Sequence, residues 1–185
     1  MASVIEICNR ALIRLGADTI IDINEQSSKE ARLCNILYNQ VRKELLRLHP
    51  WNFSIKRTIL AADVVSPPFE YIYSYTLPSD CIRVIKANDF VSDYKIEGGK
   101  LLSDDDGIEL IYIYDVTDPT QFDTLFTSLF VLKLAMEMSY NITGATFAYS
   151  GLQSEFNQFK REAKLFDAQE GIPDSWGDGD WLGSR

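Results

Sequence analysis

The stretch that decides the fold is residues 11–53, ALIRLGADTIIDINEQSSKEARLCNILYNQVRKELLRLHPWNF. Within it Ser27 and Glu30 form a capping box, a pair that satisfies the free backbone N–H groups at a helix start. The apolar residues that follow alternate steps of three and four, the spacing of one buried helix face. They are Ala31, Cys34, Tyr38, Val41, Leu45 and Leu48. His49-Pro50 ends this helix, because the residue before proline is pushed out of the helical conformation.

A shorter helix precedes this long one. Ser3 and Glu6 form another capping box, and Gly16 is a natural helix stop. The apolar residues between Ser3 and Gly16 fall at helical spacing, so we expect one buried face.

Residues 51–115 change to the pattern of β-strands. Apolar side chains alternate with polar ones, and Ser66-Pro67-Pro68 breaks the chain between two strands. The pair Gly98-Gly99 predicts a hairpin turn, since glycine tolerates the positive φ that such turns require. Residues 104–107, DDDG, predict a further turn. This segment therefore predicts four or five short antiparallel strands.

Two more helices are predicted after the β segment. Asp118-Pro119 combines a cap with a proline suited to the first helical position, and Gly144 predicts the end of that helix. The residues between them are apolar around most of the helix, which indicates a central position. The last helix is predicted over residues 145–169.

These elements predict an α+β fold, mainly α. We expect a four-helix bundle formed by residues 1–50 and 116–170, with a small antiparallel β lobe, residues 51–115, inserted into it. An extended C-terminal tail, residues 171–185, is expected to follow.

The composition restricts the class of protein. Hydrophobic residues make up 46% of the chain, enough for a real core, so disorder by composition is excluded for most of it. A net charge of −9 argues against a surface that grips nucleic-acid phosphates. The three cysteines are far apart and suit a reducing cytoplasm. No secretion signal or membrane span is evident in the sequence, so we expect no membrane association.

The sequence offers little for catalysis. It contains no nucleophile-elbow, phosphate-loop, dinucleotide-binding or zinc-protease motif. The single histidine, His49, lies at a helix end beside Trp51, where capping or packing is the favoured role. The Asp-rich turn at 104–107 lacks the downstream glutamate of a calcium loop. We therefore expect no catalytic residue, cofactor or metal site.

The C-terminal tail, GIPDSWGDGDWLGSR, has an unusual composition. Large apolar residues on a free tail are costly, so such a segment usually orders on a partner. The tail could dock on another chain or fold back onto its own helices, and docking is the favoured reading. The residues assigned to it are Trp176, Asp178, Asp180, Trp181 and Leu182.

Three motifs resemble those of the phage tail tubular protein A family of head-to-tail adaptors, also called connectors. The second helix has the form A-R-x-C-N-x-x-Y at residues 31–38 and runs into L-x-x-H-P-W-N-F at 46–53. The segment YTLPSDCIRV, residues 75–84, is similar to the family's Y-x-L-P-x-D-C pattern. The resemblance extends over most of residues 3–170.

This resemblance implies a virion structural protein of a short-tailed phage, assembled in the host bacterial cytoplasm. It implies a homo-oligomeric ring, typically of twelve subunits, between the portal protein and a tail nozzle of the tail tubular protein B type. DNA would pass through the channel without specific binding.

The resemblance also suggests roles for individual segments. The tail is expected to reach the portal. Contacts with the nozzle or a neighbouring subunit are expected at three turns of the β lobe, whose residues include Pro67, Pro68, Gly98, Gly99 and Asp105. The joint between bundle and lobe is assigned to His49, Pro50, Trp51 and Phe53. Two alternatives stay open, a head-completion ring protein of a long-tailed phage and a virion murein hydrolase.

Overall fold

The structure is a computed structural model that describes residues 2–25, 27–88 and 93–170, except for the side chains of residues 146–148. Its helices are α1 (Val4–Arg14), α2 (Lys29–Leu48), α3 (Thr124–Thr143) and α4 (Thr146–Gln169). Its strands are β1 (Ile55–Leu60), β2 (Tyr73–Thr76), β3 (Cys81–Ala87), β4 (Tyr94–Glu97), β5 (Lys100–Ser103) and β6 (Ile108–Tyr114). None of the helices within the described ranges is long and apolar enough to cross a membrane.

The helix ends follow local side-chain chemistry, with two differences from prediction. Ser3 caps α1 by accepting a hydrogen bond from the Glu6 N–H, as predicted. The cap of α2 is Ser28 rather than Ser27. The cap of α3 is Asp123, whose carboxylate accepts hydrogen bonds from two backbone N–H groups. The predicted cap Asp118 instead begins a short 3-10 turn that precedes α3.

The strands form two three-stranded antiparallel sheets. The first sheet has the order β1-β6-β3, and the second has the order β2-β5-β4. One face of the first sheet packs on the second sheet through a separate apolar cluster. The buried members of that cluster are Tyr75, Ala87, Leu101, Ile108, Leu110 and Tyr112.

The predicted four-helix bundle with a small inserted β lobe is wrong. Helices account for about 48% of the described residues and strands for about 20%, and the fold is α+β. The first sheet is part of the main core, because Ile113 of β6 is fully buried in the same cluster as residues of α1, α2 and α3. Ile82 and Ile85 of β3 pack against that cluster as well.

The helices are arranged around α3. This helix packs against α4, α1 and α2 in turn, and buried residues are spread around most of its circumference. The domain boundaries predicted after residues 50 and 115 stay predictions, and the predicted tail, residues 171–185, lies outside the described residues.

Candidate functional site

The segment between α2 and β1 is held by aromatic packing. Trp51 is fully buried, and its indole N–H donates a 2.9 Å hydrogen bond to the Leu45 carbonyl. Its ring packs edge-on against His49 and Phe126, with centroid distances of 4.8 and 5.4 Å. Phe53 packs on Phe126 at 5.0 Å. Such edge-to-face pairs add to the stability gained by burial.

His49 joins this segment to the last turn of α4. Its Nε2 lies 3.0 Å from the Asp167 Oδ2, while the Asp167 Oδ1 accepts a hydrogen bond of 3.1 Å from the Asn52 N–H. The Asn52 side-chain amide also donates to the Asp167 carbonyl at 2.7 Å. Burial lowers the pKa of His49 below its ordinary value, although the hydrogen bond to Asp167 acts in the opposite direction.

Among the described residues, this His–Asp pair has no partner suited to nucleophilic catalysis. Nucleophilic catalysis needs a hydroxyl or thiol within hydrogen-bond reach of the imidazole. In the described part of the chain, His49 has only the carboxylate of Asp167 as a hydrogen-bond partner. The pair therefore acts as a clamp between α4 and the start of β1. The neighbouring Pro50 is half-buried.

The loop between β1 and β2, residues 61–72, carries four large apolar side chains that are exposed. Val64 is fully exposed, and Phe69 is 73% exposed. Val65 and Ile72 are also exposed, as is Pro68, while Pro67 is half-buried. Several large apolar groups on one short loop form a surface of the kind that binds another protein. We name residues 61–72 the apolar loop.

The base of the apolar loop is fixed to the second sheet. The Asp63 carboxylate accepts hydrogen bonds from the Ser74 hydroxyl at 2.7 Å and the Lys100 ammonium at 2.8 Å. Lys100 and then Ser74 hold the pKa of Asp63 well below its usual range. At the other end, the Ile72 N–H donates to the Asp104 carboxylate at 2.9 Å. The loop thus presents its apolar side chains from an anchored base.

The predicted contact residues Gly98 and Gly99 form the turn between β4 and β5. Their φ angles are +55° and +79°, the region that glycine adopts readily. Gly98, Pro67 and Pro68 line one surface groove of about 360 Å³. The structure therefore brings the Pro67-Pro68 and Gly98-Gly99 turns together, although they are about thirty residues apart.

Asp105, the remaining predicted contact residue, is half-buried in the turn after β5. Its carboxylate accepts a 2.8 Å hydrogen bond from the Asn88 amide, and its carbonyl accepts one from the Tyr75 hydroxyl. The Tyr75 hydroxyl in turn accepts from the Gly107 N–H at 2.8 Å. Asp105 therefore stabilises its own turn. No group of three or more potential metal ligands occurs among the described residues.

The exposed apolar residues of the apolar loop are not among those predicted from the sequence. Val64, Val65 and Phe69 surround the prolines that were assigned as contacts, yet were not themselves singled out. Their signal is present in the sequence, because V-V-S-P-P-F places apolar residues in a proline turn without strand alternation. The predicted portal-docking residues lie outside the described residues. They are Trp176, Asp178, Asp180, Trp181 and Leu182.

Comparison with protein-family models and with curated proteins finds no match for this chain. The motifs at residues 31–53 and 75–84 therefore carry the family resemblance by themselves.

Proposed function

We propose that this chain is a virion structural protein, a head-to-tail adaptor that forms a ring between the portal protein and the tail nozzle. Copies of the chain surround the channel through which DNA is ejected. Support comes from the motifs at residues 31–38, 46–53 and 75–84, which resemble those of the phage tail tubular protein A family.

The observation that carries this proposal is the apolar loop. Val64, Val65 and Phe69 project from a loop whose base is fixed by the ion pair of Asp63 with Lys100. Exposed apolar groups are costly in a free subunit and stabilise an assembly in which a neighbour covers them. A ring needs two different, complementary surfaces on each subunit, and a projecting loop is suited to be one of them.

The charge of the chain fits a channel through which DNA moves. Each copy carries a net charge of −9, so a ring of twelve copies carries −108. A strongly acidic ring repels the phosphate backbone, which lets DNA slide past it. DNA is therefore a passing polymer here, and the binding partners are the portal, the nozzle and other copies of the chain.

The first test is single-particle imaging of the purified protein mixed with the portal ring encoded in the same genome. We expect additional density of about a dozen subunits below the portal.

We assign portal attachment to the C-terminal segment, residues 171–185. A chain that ends at residue 170 should keep its far-UV circular dichroism and lose portal attachment, and normal attachment of this shortened chain would contradict that assignment.

The apolar loop is tested with a matched pair of variants. The double variant Val64→Asp/Phe69→Asp should lose ring or nozzle assembly, because it places charges where a neighbour would bury apolar groups. Ile36→Asp is the control, since Ile36 is 70% exposed on α2 and away from the loop. Equal assembly by both variants would contradict the role of the loop. A portal that stays bare with the unaltered chain would contradict the adaptor proposal, and murein cleavage would then be assayed.

A further inference from the structure

The first sheet has one face that the helices cover only in part. Ile113 of β6 is fully buried in the main core, and Ile111 and Glu109 project from the same face because side chains alternate along a strand. Ile111 is half-buried and Glu109 is exposed, so the cover decreases along β6 toward its start. Arg57 of β1 and Lys86 of β3 both lie opposite Ile111.

The uncovered part of this face continues onto the turn between β5 and β6. Ile59 of β1 lies opposite Glu109 and is 77% exposed. One groove of about 400 Å³ is lined by Arg57, Ile59 and Glu109, and a second groove of about 580 Å³ is lined by Ile59, Glu109 and Asp106. Because the two grooves share residues, they form one continuous surface. We call this surface the open face, and its main residues are Arg57, Ile59, Lys86, Asp106, Glu109 and Ile111.

The charges of the open face are separated along the strands. Arg57 and Lys86 lie level with Ile111, whereas Glu109 and Asp106 lie toward the turn. Arg57 and Asp106 are exposed, and neither side chain forms a hydrogen bond or ion pair with another residue in the described ranges. The open face therefore has a basic end and an acidic end, and each end carries a charge that the subunit itself does not pair.

Helix α4 adds further positive charge beside the basic end. Arg83 of β3 lies on the same face of the sheet, opposite Ile113. Burial, together with the nearby charges of Lys160 and Arg83, lowers the pKa of Lys164. These three cations are half-buried where α4 meets the sheet. Like charges held close together repel each other, and acidic groups from another molecule would relieve this repulsion.

A twofold arrangement of two copies matches these charges. A twofold axis that runs across the strands turns one open face end for end over the other, and each contact then occurs twice. With the axis between the levels of Ile111 and Glu109, Glu109 of one copy lies level with Arg57 of the other, and Ile59 lies level with Ile111. The acidic turn then lies level with Arg83 of the other copy. Packed sheets are about 10 Å apart, a gap that arginine and glutamate side chains bridge.

A nucleic acid fits the open face less well than a second copy does. A phosphate backbone is negative throughout, so Glu109 and Asp106 would repel it. The net charge of −9 adds to this repulsion. A second copy supplies both signs of charge, and the end-for-end arrangement brings opposite signs together. An axis along the strands would instead place Glu109 against Glu109, so the charges favour the antiparallel pair.

We propose that two copies of the unassembled chain bind each other through their open faces, antiparallel about a twofold axis, with Ile59 against Ile111 and Arg57 against Glu109. A twofold pair is closed and does not continue into a ring. The ring contact assigned to the apolar loop is a different surface. The pairing of the open faces therefore does not depend on the adaptor function proposed above.

The test is sedimentation velocity of the full chain over a range of protein concentrations. At about 0.15 M salt the Debye length is about 8 Å, which screens the net charge of the two chains but not the contacts between them. We expect a monomer–dimer equilibrium. Arg57→Glu and Glu109→Arg should each weaken the dimer by about tenfold or more, because each reversal places like charges together twice. Both side chains are exposed, so the variants should keep the fold, and circular dichroism checks this.

An equimolar mixture of the two variants separates a contact between copies from an effect within one copy. In the mixed pair, the new carboxylate at position 57 meets the new guanidinium at position 109, and the unaltered Arg57 and Glu109 form the second contact. The mixture should therefore recover the dimer that each variant loses alone. The controls are Arg10→Glu and Glu6→Arg, which make the same changes of charge at exposed sites on α1. Both controls should dimerise like the unaltered chain.

Four results would overturn the proposal. They are an unaltered chain that is monomeric at every concentration, variants that dimerise as well as the controls, controls that lose the dimer as well, and a mixture that does not recover it. Portal binding is not measured here, so failure of the adaptor proposal would leave this result unchanged.

Discussion

Replacing Asp115 by alanine should destabilise the protein far more than any surface ion-pair replacement. Arg42 of α2 is 5% exposed, and its guanidinium binds the Asp115 carboxylate through three contacts of 2.9, 3.1 and 3.2 Å. A fourth hydrogen bond joins Arg42 to the Asn39 side chain at 2.8 Å. Asp115 directly follows β6, so the pair connects α2 with the first sheet.

The loss in the free energy of unfolding depends on the charged group that each replacement leaves behind. Asp115→Ala leaves the Arg42 charge buried with only the Asn39 amide oxygen, a loss of about 3–5 kcal/mol in the free energy of unfolding. Arg42→Met leaves Asp115, which is 19% exposed and has Lys43 at 3.6 Å. This second loss should be smaller, about 1–3 kcal/mol. The double variant removes both charges and should cost much less than the sum.

The assay is urea unfolding at neutral pH, followed by circular dichroism. A double-mutant cycle should give a coupling energy of about 2 kcal/mol or more, and the dependence on urea should keep its slope. The surface control is the pair of Arg14 and Glu155, whose side chains are 42% and 50% exposed at 2.8 Å. Arg14→Met should change the stability by less than about 1 kcal/mol.

Additive losses in the free energy of unfolding would contradict a pairwise role for Arg42 and Asp115. If the two single losses sum to the double loss within about 0.5 kcal/mol, Arg42 and Asp115 do not stabilise the fold as a pair. A loss for Asp115→Ala no larger than that for Arg14→Met would also refute it, because the buried charge would then be solvated in some other way.

Three further predictions concern single residues. The Tyr38 hydroxyl is buried without a hydrogen-bond partner among the described residues. Tyr38→Phe should therefore leave the free energy of unfolding unchanged or raise it by up to about 1 kcal/mol in urea unfolding. A clear loss of stability would contradict this prediction. The folded protein lowers the pKa of His49 from its ordinary value of 6.5. The contribution of His49 to the free energy of unfolding is therefore fully present above pH 6.5, and it decreases as the pH falls toward the pKa of His49 in the folded protein. NMR titration of this single histidine checks the sign, and a pKa above 6.5 would contradict it. Asp123→Ala should cost about 1 kcal/mol through loss of the α3 cap, whereas Asp118→Ala, which affects only a 3-10 turn, should cost less in the same assay.

Local side-chain chemistry predicted most helix ends, and adjacent alternatives explain the differences. The end of α2 at His49-Pro50 and the end of α3 at Gly144 are as predicted. The start of α2 is displaced by one residue because Ser27 and Ser28 are both suitable caps, and the Ser27 hydroxyl donates instead to Glu25. Asp118 and Asp123 both precede α3. The sequence around Asp118 does not show that its 3-10 turn ends before Asp123, so Asp118 was predicted as the cap of the helix.

The arrangement of the sheets was harder to predict, because the alternation of apolar and polar residues along a strand does not show what covers each face of the sheet. In β6 both sets of side chains are apolar, with Leu110 and Tyr112 on one face and Ile111 and Ile113 on the other. This pattern is typical of a strand covered on both sides, and it indicates that the β region does not project as a separate lobe. The proline and glycine turns were identified one by one, but only the fold brings the Pro67-Pro68 and Gly98-Gly99 turns together.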